Sequence, residues 1–342
     1  MNILVTGGCG FIGTNFIKLL STKDFNILNV DKLTYASGPN NLKELTNNPK
    51  YTFANEDICN VDFIKKTLED FGPNYIINFA AESHVDNSIK SSSEFIQTNI
   101  VGTYNLLEQA RNYYFSLSDK KKSNFKFHQI STDEVYGDMD DELFHENSKY
   151  LPSSPYSATK ASADHLVRAW QRTYDLPTII TNCSNNFGPY QFPEKLIPVV
   201  IINALNEKKI PVYGDGKQIR DWIYVLDHCD ALMQCIVNGL PGETYNIGSS
   251  NQLTNLELIE IICKKLDKIR PRKNLKSHMD LIEFVDDRPG HDRKYGINSG
   301  KARKELDWNP KIKFDTAIEY TVKWYLNNQS WTEEIINNNQ YA

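Results

Sequence analysis

Six short apolar runs rich in β-branched residues alternate with helical patterns through the first half of the chain. Residues 2–6, 26–31, 51–55, 75–79, 126–131 and 178–183 read as buried strands, and residues 11–20, 61–71, 93–117 and 155–174 carry apolar side chains at helical spacing. Parallel strands cannot be joined by a tight turn, and the usual crossover is a helix packed on the sheet. The rhythm therefore specifies an α/β fold, a doubly wound parallel sheet covered on both faces. Beyond residue 184 it breaks. Pro and Gly crowd the segment that includes Gly188, Pro189, Pro193, Pro198, Pro211, Gly214 and Gly216, where short strands and loops fit better. Helical patterns return at 254–266, where Thr254 and Glu257 have capping-box spacing, and at 315–326. A smaller α/β lobe is expected there, with a loosely held Asn-rich end.

The first strand runs into Thr6-Gly7-Gly8-Cys9-Gly10-Phe11-Ile12-Gly13 and then into a helix. Gly7, Gly10 and Gly13 suit a tight turn, a backbone open to a pyrophosphate and a helix lying close to the sheet. Asp31 ends the second strand, where a carboxylate accepts hydrogen bonds from a ribose 2′-hydroxyl and repels a 2′-phosphate, which favours NAD over NADP. Asp57-Ile58 and Ala80-Ala81 follow the third and fourth strands, at the carboxyl ends where such sheets bind ligands. The expected organisation is an NAD-binding Rossmann domain at 1–184, a lobe at 185–330 with some chain crossing back, and a tail at 331–342.

Charge and composition remove other classes. A formal charge of −5, with only the short Lys120–Lys122 basic run, gives no footprint for nucleic acid. Apolar stretches such as 196–205 are too short to span a bilayer, and Met1 to Thr6 has no basic n-region before its apolar run and leads directly into a Gly-rich turn, so no signal peptide and a cytoplasmic location are expected. Cys9, Cys59, Cys183, Cys229, Cys235 and Cys263 lack disulfide or metal-ligand spacing and read as packed thiols, with no metal expected.

Two clusters carry chemistry. Tyr156 and Lys160 lie one turn apart on a predicted helix, where an ammonium can stabilise a phenolate and lower the usual tyrosine pKa of about 10. After the fifth strand comes Ser131-Thr132-Asp133-Glu134, which offers a hydroxyl and two adjacent carboxyls, an acid and a base. Each cluster alone is compatible with a helix surface or a solvated turn.

GGCGFIG, DKLTYA, AAESHVD, STDEVYG, YSATK, NNFGPYQFPEKLIP, GDGKQIRDWIYV and DRPGHDRKY occur in this order. Together they resemble the nucleotide-diphosphoglucose 4,6-dehydratases, a branch of the extended short-chain dehydrogenase/reductases. The resemblance implies a redox-neutral elimination of water from dTDP-glucose, with UDP-glucose as the alternative, in which NAD is reduced and reoxidised within one turnover. Tyr156 is then the base at the O4 hydroxyl, Lys160 tunes the phenol and holds the nicotinamide ribose, and Thr132 hydrogen-bonds O4. Glu134 is the base at C5, and Asp133, kept protonated, is the acid toward the departing 6-hydroxyl. The product is a 4-keto-6-deoxy sugar nucleotide, on the way to 6-deoxysugars such as rhamnose.

By the same resemblance Phe11, Ile12, Lys32, Thr34 and Asn99 join the cofactor site. Glu82, Ser83, Asn185, Lys195 and Leu196 fall beside the sugar and diphosphate. Arg220, Arg288 and His291 supply cations or donors, and Pro211, Tyr213 and Asn255 flank the nucleotide. A homodimer through residues 93–117 and 155–174 is also implied. LTYASGPNNL after Asp31 and HENSKYL before the Tyr156 helix depart from the family pattern. Three alternatives remain: a nucleotide-sugar 4-epimerase, a decarboxylase or a non-catalytic dinucleotide sensor. The first two have no use for Asp133 as an acid, and the third has no use for the catalytic set.

Overall fold

In the computed structural model the described residues are all but 39, 140, 141, 274, 275, 288, 289 and 340–342. Seven parallel strands form the main sheet: β1 (Asn2–Thr6), β2 (Asn26–Asp31), β3 (Tyr51–Asn55), β4 (Tyr75–Asn78), β5 (Lys126–Thr132), β6 (Thr178–Cys183) and β10 (Thr244–Ile247). Their order is β10-β6-β5-β4-β1-β2-β3. The sheet is Rossmann-type, as expected. Its central strands are buried on both faces, which is why Ile3, Leu4, Val5, Ile76 and Ile77 form a continuous apolar run in place of an alternating one.

Strand order reverses between β1 and β4, because the chain builds outward to β3 before returning to the other side of β1. This switch point parts the connections and leaves a crevice at the strand carboxyl ends. One face of the sheet is covered by the helices Val61–Phe71, Thr103–Ser116 and Pro155–Tyr174, through Leu68, Leu106, Leu107 and Val167. On the other, Phe16, Ile17 and Leu20 of Phe11–Ser21 pack with Val225, Cys229 and Leu232 of a helix at Val225–Asn238.

The remaining strands are β7 (Asn185–Phe187), β8 (Ile210–Tyr213), β9 (Ile219–Tyr224), β11 (Gln252–Thr254) and β12 (Ile282–Val285), arranged as β11-β9-β7 and β12-β8. They share a core with the helices Leu196–Leu205, Asn255–Ile269 and Phe314–Asn327. Thr254 and Glu257 form the expected capping box: Thr254 N donates to Glu257 Oε2 at 2.8 Å and Glu257 N to Thr254 Oγ1 at 3.2 Å.

Four segments differ from the sequence reading. Residues 93–117 are interrupted by a π-helical turn at Ile96–Gly102. Leu196–Leu205 and Val225–Asn238 are helices within the stretch read as strands and loops. Pro198 is tolerated in the first of these because it lies in the opening turn, where its missing N–H has no intrahelical partner to lose. The end of the chain forms a helix, Gln329–Asn339, held by Trp331 against Trp324 and Tyr190 and by the buried Ile335, where a loose tail was expected. No described helix is long and apolar enough to cross a membrane. All six cysteines are free thiols, and only Cys59 is not buried.

Candidate active site

The carboxyl ends of β1, β4 and β5 open into a crevice with a cavity volume of about 310 Å³. Gly7, Gly10, Phe11, Ile12 and Gly13 form one wall. Gly7 has a φ of +68°, and a Cβ on it would lie 2.6 Å from the Ala80 nitrogen. A Cβ on Gly13 would meet the Gly7 carbonyl at 2.5 Å, so helix and turn touch backbone to backbone. Gly10 is different: its Cβ would meet nothing nearer than the Gly7 carbonyl at 3.4 Å, so the space beside it is free for a ligand. No side chain caps the helix that starts at Phe11, which leaves N–H groups available to an anion.

Asp31 is buried at the end of β2 and accepts hydrogen bonds from Cys9 N (2.8 Å), Leu33 N (2.8 Å) and Ser37 Oγ (3.0 Å). Burial nevertheless raises its pKa above the ordinary aspartate value, with the hydrogen bonds and Lys32 opposing. Thr34, Asp57, Ile58, Ala80 and Ala81 line the same space. Lys32 donates to Thr98 Oγ1 at 2.9 Å and lies 3.5 Å from Asp57 Oδ2 and 3.9 Å from Glu82 Oε1. The uncapped turn, the open side of Gly10 and the carboxylate at the end of β2 together suit a dinucleotide such as NAD.

Asn99 is placed differently from the expectation. It does not line the crevice. From the π-helical turn its Oδ1 accepts from Glu82 N (2.9 Å), while its Nδ2 donates to Glu82 O (3.0 Å) and Thr159 Oγ1 (2.9 Å). It braces the β4 loop against the Pro155–Tyr174 helix, a job open to a short amide only because the wide turn presents it inward.

That helix opens with a capping box between Ser154 and Ser157 and with Pro155 at its first position, which fixes where Tyr156 and Lys160 emerge. Thr132, Asp133, Glu134, Tyr156 and Lys160 all line the crevice. Glu134 N donates to Thr132 Oγ1 at 3.3 Å, and Thr132 Oγ1 lies 3.4 Å from Asp133 Oδ1. Asp133 is 2 % exposed, and its Oδ2 has no hydrogen-bond partner among the described residues. Burial, the Glu134 charge and Asp221 push its pKa well above the ordinary value, against Arg220. The shift favours the protonated carboxyl, the form an acid for elimination needs.

The Tyr156–Lys160 relation corrects the sequence argument. Burial, with Glu134, Cys183, Asp133 and Asp164 adding, drives the Tyr156 phenol well above the usual tyrosine value. Lys160 Nζ donates to the Ile130 carbonyl at 2.6 Å, and burial lowers its pKa. In the protein alone, desolvation and the carboxyl pair outweigh the ammonium.

Glu82, Ser83, Asn185 and Lys195 also line the crevice. Asn185 Oδ1 is buried without a hydrogen-bond partner among the described residues, and Lys195 Nζ donates to Ser83 O at 3.3 Å. Leu196, the first residue of its helix, lies outside the lining. Pro211, Tyr213, Arg220, Asn255 and His291 lie outside it too, in a second group along β8, β9 and the Asn255–Ile269 helix. Gln218 joins that group: its carbonyl accepts from Asn255 N at 3.0 Å, and its Nε2 donates to Asp287 Oδ2 at 3.0 Å. Asp287 Oδ1 in turn is 2.6 Å from His291 Nδ1.

Arg220 donates to the carbonyls of Ile219 (2.8 Å) and Asp292 (2.9 Å) and lies over the Tyr295 ring at 4.2 Å, and its field reaches Asp133. Arg288 lies outside the described residues. Sequence reasoning missed Thr98 and Glu194, both of which line the crevice. Glu194 sits inside the quoted EKLIP run, whereas nothing local marks Thr98. It also missed Asn41, whose Nδ2 reaches the Cys9 carbonyl (3.3 Å) and Thr14 Oγ1 (3.2 Å) and whose Oδ1 accepts from Trp331 Nε1 at 2.7 Å.

The sequence profile of the GDP-mannose 4,6 dehydratase family matches residues 4–321. The dTDP-glucose 4,6-dehydratase of Neisseria meningitidis serogroup B is 52% identical over 341 residues, 98% of this chain and 96% of that protein. The structure is similar to that of dTDP-glucose 4,6-dehydratase from Bacillus anthracis in complex with NAD, with a TM-score of 0.86 and 43% identity over 98% of this chain and 99% of that one. It is also similar to the Streptomyces venezuelae dTDP-glucose 4,6-dehydratase with NAD and TYD bound, with a TM-score of 0.89 and 38% identity over 98% and 100% of the two chains.

Proposed function

The chain belongs to the dTDP-glucose 4,6-dehydratase family, and from that premise we propose that it removes water from dTDP-glucose to give the 4-keto-6-deoxyglucose nucleotide. The observation that carries this reading is the buried Asp133, its pKa pushed up by burial and by Glu134 beside it, in the crevice that also holds Tyr156 and Lys160. Oxidation alone needs one base; loss of water across C5–C6 needs a base and an acid together.

NAD, when bound, supplies the acceptor and later the donor of one hydride, and its cationic ring adds positive charge to a pocket whose own groups keep Tyr156 protonated. Gly7, Gly10 and Gly13 admit its pyrophosphate to the helix N-terminus, and Asp31 takes the ribose hydroxyls. Tyr156 accepts the O4 proton as C4 becomes a ketone, with Thr132 holding that oxygen and Lys160 supplying the positive charge. The ketone acidifies C5–H. Glu134 takes that proton, and Asp133 gives its own to the 6-hydroxyl, which leaves as water; with the hydride taken from C4 returned to C6, Glu134 gives its proton back to C5, which completes the 4-keto-6-deoxy sugar. Asn185, whose Oδ1 has no hydrogen-bond partner among the described residues, and Lys195 face the sugar diphosphate. The Arg220, Asn255 and His291 group, with Pro211 and Tyr213, serves the nucleotide end.

The deciding experiment is mass spectrometry of the purified protein incubated with dTDP-glucose and, separately, UDP-glucose. The expected result is loss of one water from dTDP-glucose. A methyl in a pocket is worth about 1–3 kcal/mol, so UDP-glucose is converted more slowly. If neither substrate loses water once NAD is supplied, the reading fails.

The active form is a homodimer. Ile96 (48 %), Val101 (39 %) and Tyr104 (48 %) are apolar yet exposed, on the π-helical turn and the helix that follows it. Tyr104 packs edge-on against Trp170 of the Pro155–Tyr174 helix, so the two helices present one continuous face. Light scattering at micromolar protein should give twice the chain mass, and Tyr104→Glu should shift it toward one. A monomeric wild-type mass would overturn the assignment.

A further inference from the structure

The helix face that presents Tyr156 and Lys160 continues one turn further to Asp164, which is fully buried. Its Oδ2 accepts from Ser131 Oγ at 2.7 Å and from Tyr150 Oη at 3.0 Å. The direction of the second bond follows from counting donors. Arg168 Nη2 donates to the Tyr150 oxygen at 2.7 Å and Asn182 Nδ2 donates to it at 3.2 Å, so both phenolic lone pairs are taken and its one proton points to Asp164. Two O–H donors converging on one oxygen are the partners of a carboxylate. Burial raises the Asp164 pKa above the ordinary aspartate value, and Oδ1 has no hydrogen-bond partner among the described residues; the two O–H donors, with Lys160 and Arg168, work against burial and toward the carboxylate.

Lys160 is fastened to the same strand end. Its Nζ donates to the carbonyl of Ile130, and the next residue, Ser131, donates to Asp164, so lysine and aspartate grip consecutive residues of β5. We propose that Asp164 is a positioning residue that keeps Lys160 in its cationic form, its own charge fixed by Ser131 and by the Arg168–Tyr150 pair. This inference rests on the dehydratase reading, in which Lys160 must carry a positive charge.

The titratable groups facing Lys160 are Asp164 on its own helix and Cys183 at the end of β6. Those facing Asp164 are Lys160, Arg168 and Tyr150. Those facing Tyr156 are Glu134, Cys183, Asp133 and Asp164. Buried Cys183 is held as a neutral thiol, its pKa pushed up to about 12, so Asp164 is the anion that acts on Lys160.

The test is Asp164→Asn in the cofactor-loaded enzyme. Removing a negative charge disfavours the ammonium, lowers the Lys160 pKa and brings its deprotonation to lower pH. The alkaline limb of kcat/KM for dTDP-glucose should move down by about one pH unit or more, with kcat falling more than KM rises. Carbon-13 NMR of protein labelled at lysine Cε, with the Lys160 signal identified by its loss in Lys160→Arg, should show the same displacement without reference to turnover.

Tyr150→Phe removes one O–H donor, leaves the carboxylate in place and should give a smaller shift in the same direction; it carries the test if Asp164→Asn does not fold. An unchanged Lys160 titration in the folded variant overturns the proposal, even if the variant melts at lower temperature. If the unaltered enzyme converts no sugar nucleotide, the dehydratase reading falls, and the lysine titration still decides the coupling.

Discussion

Tyr156→Phe should lower turnover of dTDP-glucose by about 10²–10⁴, the usual worth of a general acid–base group. The substitution removes one oxygen and little else. Phe retains the ring that meets Phe95 edge-on at 6.4 Å and the backbone N–H that donates to Ser88 Oγ at 3.2 Å, so the helix stays where it is. The loss is therefore chemical, and it appears in kcat, because the phenol oxygen serves the proton that leaves O4 in the transition state. The check is a steady-state kcat beside a thermal melt. A drop of less than tenfold with an unchanged melting temperature would remove Tyr156 from the role of base.

The second large effect separates the two halves of the reaction. Glu134→Gln should leave C4 oxidation working and stop elimination, so that reduced nicotinamide accumulates on the enzyme after one addition of dTDP-glucose. Glu134 raises the proton affinity of Tyr156, second only to burial, and also that of Asp133. Neutralising it makes the phenol a weaker holder of its proton, which does not hinder the first step. The C5 proton, however, loses its acceptor. Stopped-flow absorbance of the reduced cofactor is the measurement: a rise that persists fits the assignment, and no rise in protein that still binds the sugar nucleotide would sink it.

Much of this was legible beforehand because it depends on short-range patterns. The central strands of the first half announce themselves as apolar, β-branched runs, since a parallel strand buried on both faces has no polar side to show; residues 51–55, read as buried too, form the edge strand β3, where Thr52, Phe53 and Asn55 are exposed. The glycine turn is read from a local steric demand, and Asp133-Glu134 from its place after β5. What escaped depends on the surroundings. The pKa of Tyr156 is set more by burial and by carboxyls from another element than by the lysine one turn away. Asn99 resembled a ligand-binding residue and is a brace, because the π-helical turn rotates it toward Glu82 and Thr159. Leu196–Leu205 was misread because Pro198 breaks a helix only beyond its first turn. The final helix was misread because an Asn-rich run hides two anchors, Trp331 and Ile335, that matter only once Trp324 and Tyr190 are folded beneath them.

That last helix also bears on the order of events when the chain is made. Asn41, which ties the loop after Asp31 to the glycine turn, is finished off by Trp331, a partner 290 residues away, and its neighbour Asn40 by Glu334. The glycine turn emerges from the ribosome well before Trp331 and Glu334, the side chains that complete the loop beside it. Domains built from early residues can fold as they appear, but the bracing of the loop after Asp31 waits until residues 331 and 334 have been made. A nascent chain can therefore assemble strands β1 to β6 well before the loop after Asp31 has its last supports.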